Sequence, residues 1–442
     1  MYQFINDYPK DIETAWTHEC QGVCHDSHYW YMTQDGAVWK FPKKWDFNKK
    51  IDANNLPADV HYKPGKILVP DPKKDNQKAH LGDMDYHGGY LFIADDADDK
   101  NGNPNTYISV YDASTLKYVQ SQAAVFDDHR FKSIGWCAIN HGFLYTSDTI
   151  VNKDNPVYIY RIEMDRVKKG QSDFLTPWAR MFLREEDGDD LTLENMQGGC
   201  FDQADHLHLA NGFHWDLVWE RKKEGISVFN APAIPAKNSV HRPKRLAKSS
   251  QSGSFKYKFN TAGQEPEGLT WWDLDNAGVP GIKGCLHVIL LNNDVRDEDN
   301  VYFKHFKPDN PSLHTPGPNY TIRIRTSNTL SATTTSEVYL TLLGTSGISE
   351  EYKLETPDGS FNRATTDYFQ INVRKKLGTL AMLQVRLGGS RDVDDWHLQD
   401  IEIIDEYNRI VYNFPCNRWL DETREDGKTV RILHAEGTPF GK

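Results

Sequence analysis

Hydrophobic and polar residues alternate along several short segments in the last quarter of the chain. Apolar side chains occupy every second position in residues 320–324 and again in residues 338–342. A period of two predicts β-strands with one buried face, and glycine-containing breaks between such strands are typical of an antiparallel β-sandwich. We expect Trp396 and Trp419 to fill the core between the two sheets, because an indole ring buries a large area.

An internal repeat runs through the residues before position 307. In each unit a glycine precedes a turn and an aromatic-rich strand, and the five glycines are Gly22, Gly82, Gly135, Gly198 and Gly268. Each unit continues into a further strand, at residues 37–41, 107–111, 157–161, 225–229 and 301–306. Strand repeats at this spacing are typical of propeller blades, so the sequence predicts an all-β fold that begins with a five-bladed β-propeller.

Each predicted blade also needs an outer strand. We expect four of these near residues 66–70, 117–123, 179–183 and 255–259. The last unit has no obvious outer strand, and residues 2–5 are predicted to supply it. That pairing would close the ring and remove the exposed edge of the last blade.

A proline-rich segment at residues 307–318 separates the repeat from the alternating strands. Prolines make a linker stiff, and each flanking pattern ends before the segment begins. The expected domains are therefore a β-propeller at residues 1–306 and a β-sandwich at residues 319–442. Because each has its own core, we expect the two to fold independently.

Six ordered motifs in the second domain resemble the PLAT domain of polycystins, lipoxygenases and clostridial α-toxins. They lie at residues 320–326, 336–344, 366–369, 377–380, 394–398 and 414–420. The resemblance implies a β-sandwich that carries a partner domain to membrane lipid or to another protein. It therefore implies a targeting role rather than chemistry.

The net charge of the chain is -12, and both predicted domains are acidic. A nucleic-acid-binding surface is basic because it neutralises phosphates, so we expect no nucleic-acid partner. The sequence has no apolar run of membrane-spanning length, and its start lacks a basic region followed by an apolar stretch. We expect a soluble protein with no transmembrane segment and no signal peptide, located in the cytoplasm or exported by a signal-independent route.

The main candidate site is the mouth of the predicted propeller. Residues just before each inner strand line this mouth, and many of them are polar. The predicted ligand-binding residues are His18, Gln21, His80, Lys132, Gln197, Glu265 and Glu267. We expect a small polar or carbohydrate ligand, and the alternative is that these groups only solvate a water-filled channel.

The carboxylates of the same mouth offer an alternative, enzymatic function. If their pKa values are shifted apart, Glu19, Glu265 and Glu267 are candidate acids of a carbohydrate-active glycoside hydrolase. The sequence contains no nucleophile elbow, zinc-protease motif, Walker loop or dinucleotide fingerprint. We therefore favour a non-enzymatic recognition protein that has no catalytic residue.

Candidate metal ligands are few. Cys24, Cys137 and Cys200 occupy equivalent positions in the repeat, and we favour small buried hydrophobes over a ring of thiol ligands. His206 and His208 share one face of a strand, and a structural role is favoured there as well. No cofactor is predicted.

Calcium binding is expected to be weak in both predicted domains. The acidic loop at residues 95–103 lacks the spacing of an EF-hand loop. In the PLAT-like domain the turn at residues 333–336 lacks the aspartate of the calcium-binding family members, which leaves Asn328 and Asp392 as remnants of a metal site.

Two sizeable apolar side chains, Leu330 and Ile348, lie near loop tips of the PLAT-like domain and are its predicted docking residues. Membrane-inserting relatives carry aromatic rings at such tips. Two aliphatic groups supply only weak partitioning into lipid. We therefore expect this domain to dock on protein.

Overall fold

A computed structural model of the chain describes residues 2–68, 79–98, 104–212, 225–248, 264–293, 299–309, 319–388 and 394–437. The chain divides into two compact units, Met1–Thr315 and Pro316–Lys442. Almost every regular element is a β-strand, and one short helix, α1 (Met164–Lys168), occurs among the described residues. No helix in these ranges has the length and apolar composition required to cross a membrane.

The first strand, β1 (Tyr2–Asp7), belongs to the last sheet of the first unit. Two four-stranded antiparallel sheets follow it in the chain. The first sheet contains β2 (Cys20–His25), β3 (Tyr29–Gln34), β4 (Ala37–Pro42) and β5 (His61–Pro64). The second sheet contains β6 (Leu81–His87), β7 (Tyr90–Asp98), β8 (Pro104–Asp112) and β9 (Tyr118–Ala123).

A five-stranded sheet, a four-stranded sheet and two short ladders come next. The ladders pair β10 (Val125–Phe126) with β11 (His129–Arg130), and β14 (Ile150–Val151) with β17 (Leu193–Glu194). The third sheet contains β12 (Ala138–Asn140), β13 (Phe143–Thr146), β15 (Val157–Ile162), β16 (Leu175–Met181) and the parallel β21 (Val240–His241). The fourth contains β18 (Met196–Phe201), β19 (His206–Asn211), β20 (Gly225–Asn230) and β22 (Arg245–Lys248).

The fifth sheet joins the two ends of the first unit. It contains β23 (Gln264–Trp271), β24 (Leu286–Asn293), β25 (Asp299–Pro308) and β1. As predicted, the start of the chain supplies the outer strand of this sheet. Tyr2 and Gln3 pair with Pro308 and Lys307, so β25 extends two residues beyond the expected end of the domain.

The first strands of the five sheets form a closed ring, and the repeat glycines lie at their contacts. A Cβ on Gly268 would lie 2.5 Å from the Gly22 Cα, and one on Gly198 would lie 2.5 Å from the Glu267 carbonyl oxygen. Gly82 and Gly135 make equally close contacts with the next strand in the ring. Only glycine permits this approach. The all-β class is confirmed, and the five-bladed propeller stays a prediction.

Two outer strands differ from the sequence prediction. The outer strand of the first sheet is β5, which ends before residue 66, because the Lys66 amide instead donates to the Tyr111 hydroxyl of the second sheet at 2.8 Å. In the fourth sheet the outer strand is β22, and the strand expected at residues 255–259 lies outside the described residues.

The second unit is a β-sandwich of two four-stranded antiparallel sheets. One sheet has the order β29 (Thr366–Ile371), β26 (Tyr320–Thr326), β31 (Trp396–Asp405) and β32 (Ile410–Leu420). The other has the order β28 (Tyr352–Leu354), β27 (Glu337–Gly344), β30 (Leu380–Gly388) and β33 (Val430–His434). The core between them is formed by the alternating apolar residues that the sequence predicted.

The two tryptophans of the sandwich have different environments. Trp396 is fully buried in the core, as predicted. The prediction for Trp419 was wrong, because this ring is half-buried on the outside of its sheet and packs against His397 and the Arg424 guanidinium. The core residues of β32 are Tyr412, Phe414 and Leu420, all at even positions, so the alternation of this strand places Trp419 on the outer face.

Candidate functional site

Irregular pairing marks the start of four inner strands. In β2 and β18 one extra residue, Gln21 or Gln197, interrupts the ladder just before the repeat glycine. In β6 and β23 two residues of the inner strand oppose one residue of the partner strand. Such bulges redirect side chains, and here they lie where the five first strands meet.

Three of the predicted site residues contact one another at this end of the ring. Glu265 and Glu267 lie two apart on β23, so they share one face of the strand. Their carboxyl groups are hydrogen-bonded to each other. From the neighbouring β18, Gln197 Nε2 donates to Glu265 Oε2 at 3.1 Å.

The two carboxyl groups differ in their environment. Burial raises the pKa of both, and the pKa of Glu267 lies far above its usual range because Glu265, Asp83 and Glu19 add repulsion to its charged form. Glu267 therefore holds the proton and donates its hydrogen bond to Glu265. Its second oxygen, Oε1, is buried and has no hydrogen-bond partner.

Asp83 lies at the centre of the ring and was not among the predicted residues. Its carboxylate accepts hydrogen bonds from the amides of Val23 in the first sheet and Gly199 in the fourth, and its own amide donates to Gly135 O in the third. Burial raises the pKa of this carboxyl. The other repeats carry valine, tryptophan, glycine or leucine at this position, so the aspartate stands out in the sequence and could have indicated a functional residue.

His80, another predicted site residue, lies near a second cluster of polar side chains. This exposed imidazole lies 3.4 Å from Asp35 Oδ1. Asp95 is buried and accepts from Ser109 Oγ at 2.7 Å, while its Oδ1 has no partner. Burial raises the pKa of Asp95 to about 7. Asp95 was expected at the start of an acidic loop, but it lies within β7 opposite Leu81, a position that depends on the strand register.

The remaining predicted residues are exposed or half-buried. His18 and Lys132 are exposed. The carbonyl oxygen of His18 accepts a hydrogen bond, and the backbone amide of Lys132 donates one. Gln21 is half-buried at the bulge of β2. Glu19 is half-buried and close enough to raise the pKa of Glu267.

The cysteine and histidine candidates have structural surroundings. Cys24 and Cys200 belong to separate hydrophobic clusters, and the Cys137 thiol donates to the Phe92 carbonyl at 3.2 Å. His206 Nδ1 lies 2.9 Å from the Asp202 carboxylate, and His208 is buried against Tyr2 and Trp271. In the described part of the chain, no three His, Cys, Asp or Glu side chains are arranged to hold a metal ion.

The two predicted docking residues of the sandwich lie at opposite ends of it. Leu330 is 76% exposed and follows the last residue of β26. Ile348 is 55% exposed in a turn whose Ser346 amide donates to Leu377 O, close to the start of β26. Tyr407, also 76% exposed, lies in the β31–β32 turn at the Ile348 end.

The residues expected as remnants of a calcium site have other partners or fall outside the described ranges. Asn328 Oδ1 accepts from Arg363 Nε at 2.9 Å, so a cationic side chain already lies beside it. Ser336 Oγ accepts from the Asp394 amide at 2.9 Å, which ties the turn at residues 333–336 to the start of β31. Asp392 lies outside the described residues.

Comparison with known proteins gives matches to the sandwich. The human lipoxygenase homology domain-containing protein 1 is 33% identical over 118 residues, which is 26% of this chain and 6% of that protein. Mouse polycystin-1-like protein 3 is 32% identical over 102 residues, 23% of this chain and 5% of that protein. The chain therefore spans a small fraction of the length of the relatives it matches.

A solved structure also overlaps most of the chain at low similarity. The Myxococcus xanthus glutaminyl cyclase structure has 8% sequence identity and a TM-score of 0.37, and it covers 69% of this chain and 98% of that one.

The family model of the PLAT/LH2 domain matches residues 320–434. The strands of the second unit fill the same range, so residues 320–434 are a PLAT/LH2 domain.

Proposed function

We propose that the chain is a non-enzymatic recognition protein. In this proposal the five sheets are the blades of a five-bladed β-propeller, and a small polar or carbohydrate ligand binds near Glu265 and Glu267. The PLAT/LH2 domain is the targeting module and docks on a protein partner. The proposal rests on the PLAT/LH2 match and on the geometry of the acid pair.

The direct contact between Glu265 and Glu267 is the observation that favours binding over hydrolysis. Glycosidases separate their two carboxyl groups by about 5 to 9.5 Å, to leave room for the sugar carbon or for water. Two carboxyl groups that share a hydrogen bond are closer than this range. The pair therefore lacks the spacing of an acid and a nucleophile, and Gln197 adds an amide suited to binding.

Activity assays test this part of the proposal. We expect the full chain to leave a panel of aryl glycosides and esters intact at the background rate. A glycosidase activity that disappears in Glu267→Gln and persists in Glu186→Gln, a matched exposed control, would establish the hydrolase instead.

Docking on protein is favoured by the separation of the two exposed aliphatic side chains. A planar membrane contacts one end of the sandwich at a time, so Leu330 and Ile348 cannot insert together. Full burial of one such side chain contributes about 1.5 to 3 kcal/mol, which gives weak partitioning. The acidic charge of the domain adds no attraction to anionic lipid.

Liposome flotation of the full chain tests the docking proposal. With neutral vesicles and with vesicles containing phosphatidylserine, we expect the protein to stay at the bottom of the gradient. Flotation that is abolished by Leu330→Ala or Tyr407→Ala, and retained by the control Val240→Ala, would show membrane targeting. Val240 is an exposed aliphatic residue of the first unit and so matches the chemical change.

A further inference from the structure

The acid pair leaves a buried acceptor unused. Glu267 is 1% exposed, and its Oε1 has no hydrogen-bond partner. Glu265 and Gln197 already satisfy each other through one hydrogen bond. A buried oxygen without a donor is costly, so the site is best completed by a group that brings an N–H or O–H.

The charged groups around the pair are acidic. The groups that raise the pKa of Glu267 are Glu265 on its own strand, Asp83 on β6 and Glu19 just before β2. Asp85, also on β6, acts in turn on Asp83. The neighbouring β18 contributes the neutral amide of Gln197. Once the shared proton has left, these acidic groups favour a cationic ligand over a neutral one.

We infer that the site binds a ligand carrying a protonated amine, and that binding expels the proton shared by Glu265 and Glu267. The inference rests on the proposed ligand-binding function and names its ligand class. The ammonium group donates to Glu267 Oε1 and to Glu265. The displaced proton passes to bulk water, so both carboxylates are ionised in the complex and the ligand supplies the compensating charge.

An organic cation fits this site better than a metal ion does. Calcium requires six to eight oxygen ligands, and the described residues include no set of three His, Cys, Asp or Glu side chains arranged for a metal. An ammonium group needs only two or three acceptors. The carboxyl pair provides them on one face of β23.

Proton release makes the affinity for an amine depend on pH. Below the pKa of the pair the ligand competes with a proton, so the affinity rises by about tenfold for each unit of increasing pH. Above that pKa the affinity becomes constant. A neutral ligand that leaves the shared proton in place shows no such slope.

Titration calorimetry with two matched probes tests the inference. The probes are 1,5-diaminopentane, a diamine, and 1,5-pentanediol, its neutral counterpart, each titrated into the full chain in two buffers of different ionisation enthalpy. We expect the diamine to bind and to release about one proton. The variant Glu265→Gln should bind it at least tenfold more weakly, and the exposed control Glu186→Gln should match the parent.

The outcomes separate the inference from the proposed function. Binding of pentanediol without proton release, in the absence of diamine binding, would overturn the amine as the ligand and leave a site for a neutral polar ligand. Absence of binding by both probes would also overturn the inference. If Glu265→Gln fails to fold, the pH slope of the parent decides, and a flat slope rejects the inference.

Discussion

The ammonium group of Lys304 lies 3.0 Å from the carboxylate of Asp7. The two residues face each other across β25 and β1, so this ion pair links the first strand to the last strand of the unit. The side chain of Lys304 is fully buried, and that of Asp7 is 10% exposed. Because the Lys304 side chain is buried, bulk solvent does not reach it to replace the carboxylate if that group is removed.

Replacing Asp7 with asparagine is therefore expected to destabilise the first unit. A buried charge that loses its partner costs about 3 kcal/mol or more. Urea unfolding followed by tryptophan fluorescence measures the change. The control Asp173→Asn removes the exposed partner of Arg166 and should cost less than about 1 kcal/mol. Equal losses in the two variants would contradict a special role for the Lys304 pair.

The ring of glycines makes a second prediction. A Cβ at position 22 would lie 2.5 Å from Thr33 Oγ1 and 2.7 Å from the backbone of Asp83. Gly22→Ala should lower the free energy of unfolding by about 1 to 3 kcal/mol, because the first two sheets must separate. At Gly65 the nearest atoms are side-chain carbons 3.0 Å away, so Gly65→Ala should cost less. Thermal unfolding of both variants checks this order.

Asp95 predicts an unusual dependence of stability on pH. Its pKa is about 7 in the folded protein and 3.8 when the side chain is solvated, as in the unfolded chain, so the folded state holds the proton more tightly than the unfolded state. The stability from this group is complete below pH 4 and is lost as the pH rises through 7. Asp95→Asn, neutral throughout, should therefore stabilise the protein at pH 8 by up to about 4 kcal/mol.

Asp112 is a control for that experiment, because the pKa of its carboxyl is shifted in the opposite direction. Hydrogen bonds from Ser114 and Thr115 lower the pKa of Asp112 and outweigh its burial. Asp112→Asn should consequently destabilise the protein at pH 8, and the loss should shrink as the pH falls below 4. Unfolding measured from pH 4 to pH 8 distinguishes the two signs. A destabilised Asp95→Asn variant at pH 8 would show that the buried carboxylate is needed.

The two units are predicted to fold separately. Fragments 1–309 and 319–442 each contain complete sheets and a core of their own. We expect each fragment to give a cooperative melt close to a transition of the full chain. A fragment that shows no cooperative transition would place the boundary elsewhere.

The strands were more predictable from the sequence than the site was. The alternation of residues 320–324 and the repeated glycines are local patterns. The first corresponds to β26, and four of the five glycines lie in observed inner strands, while Gly135 precedes β12. The pairing of β1 with β25 followed from the missing outer strand. The outer position of Trp419 also follows from alternation, because Phe414 and Leu420 on the same strand face the core.

The site combines residues that are far apart in the chain. Glu265 and Glu267 could be placed on one face of a strand because they are two residues apart. Their contact with Gln197, 68 residues earlier, depends on how β18 and β23 pack. The central role of Asp83 depends on amides supplied by the first and fourth sheets, which no spacing rule reveals.

The pairing of β1 with β25 joins two strands that are synthesised at very different times. Residues 2–7 leave the ribosome about 300 residues before their partner strand at residues 299–308. At elongation rates of about 5 to 20 residues per second, the first strand waits roughly 15 to 60 s. During that interval its backbone groups are open to other strands, so a nascent chain of this protein needs protection from aggregation until residue 308 emerges.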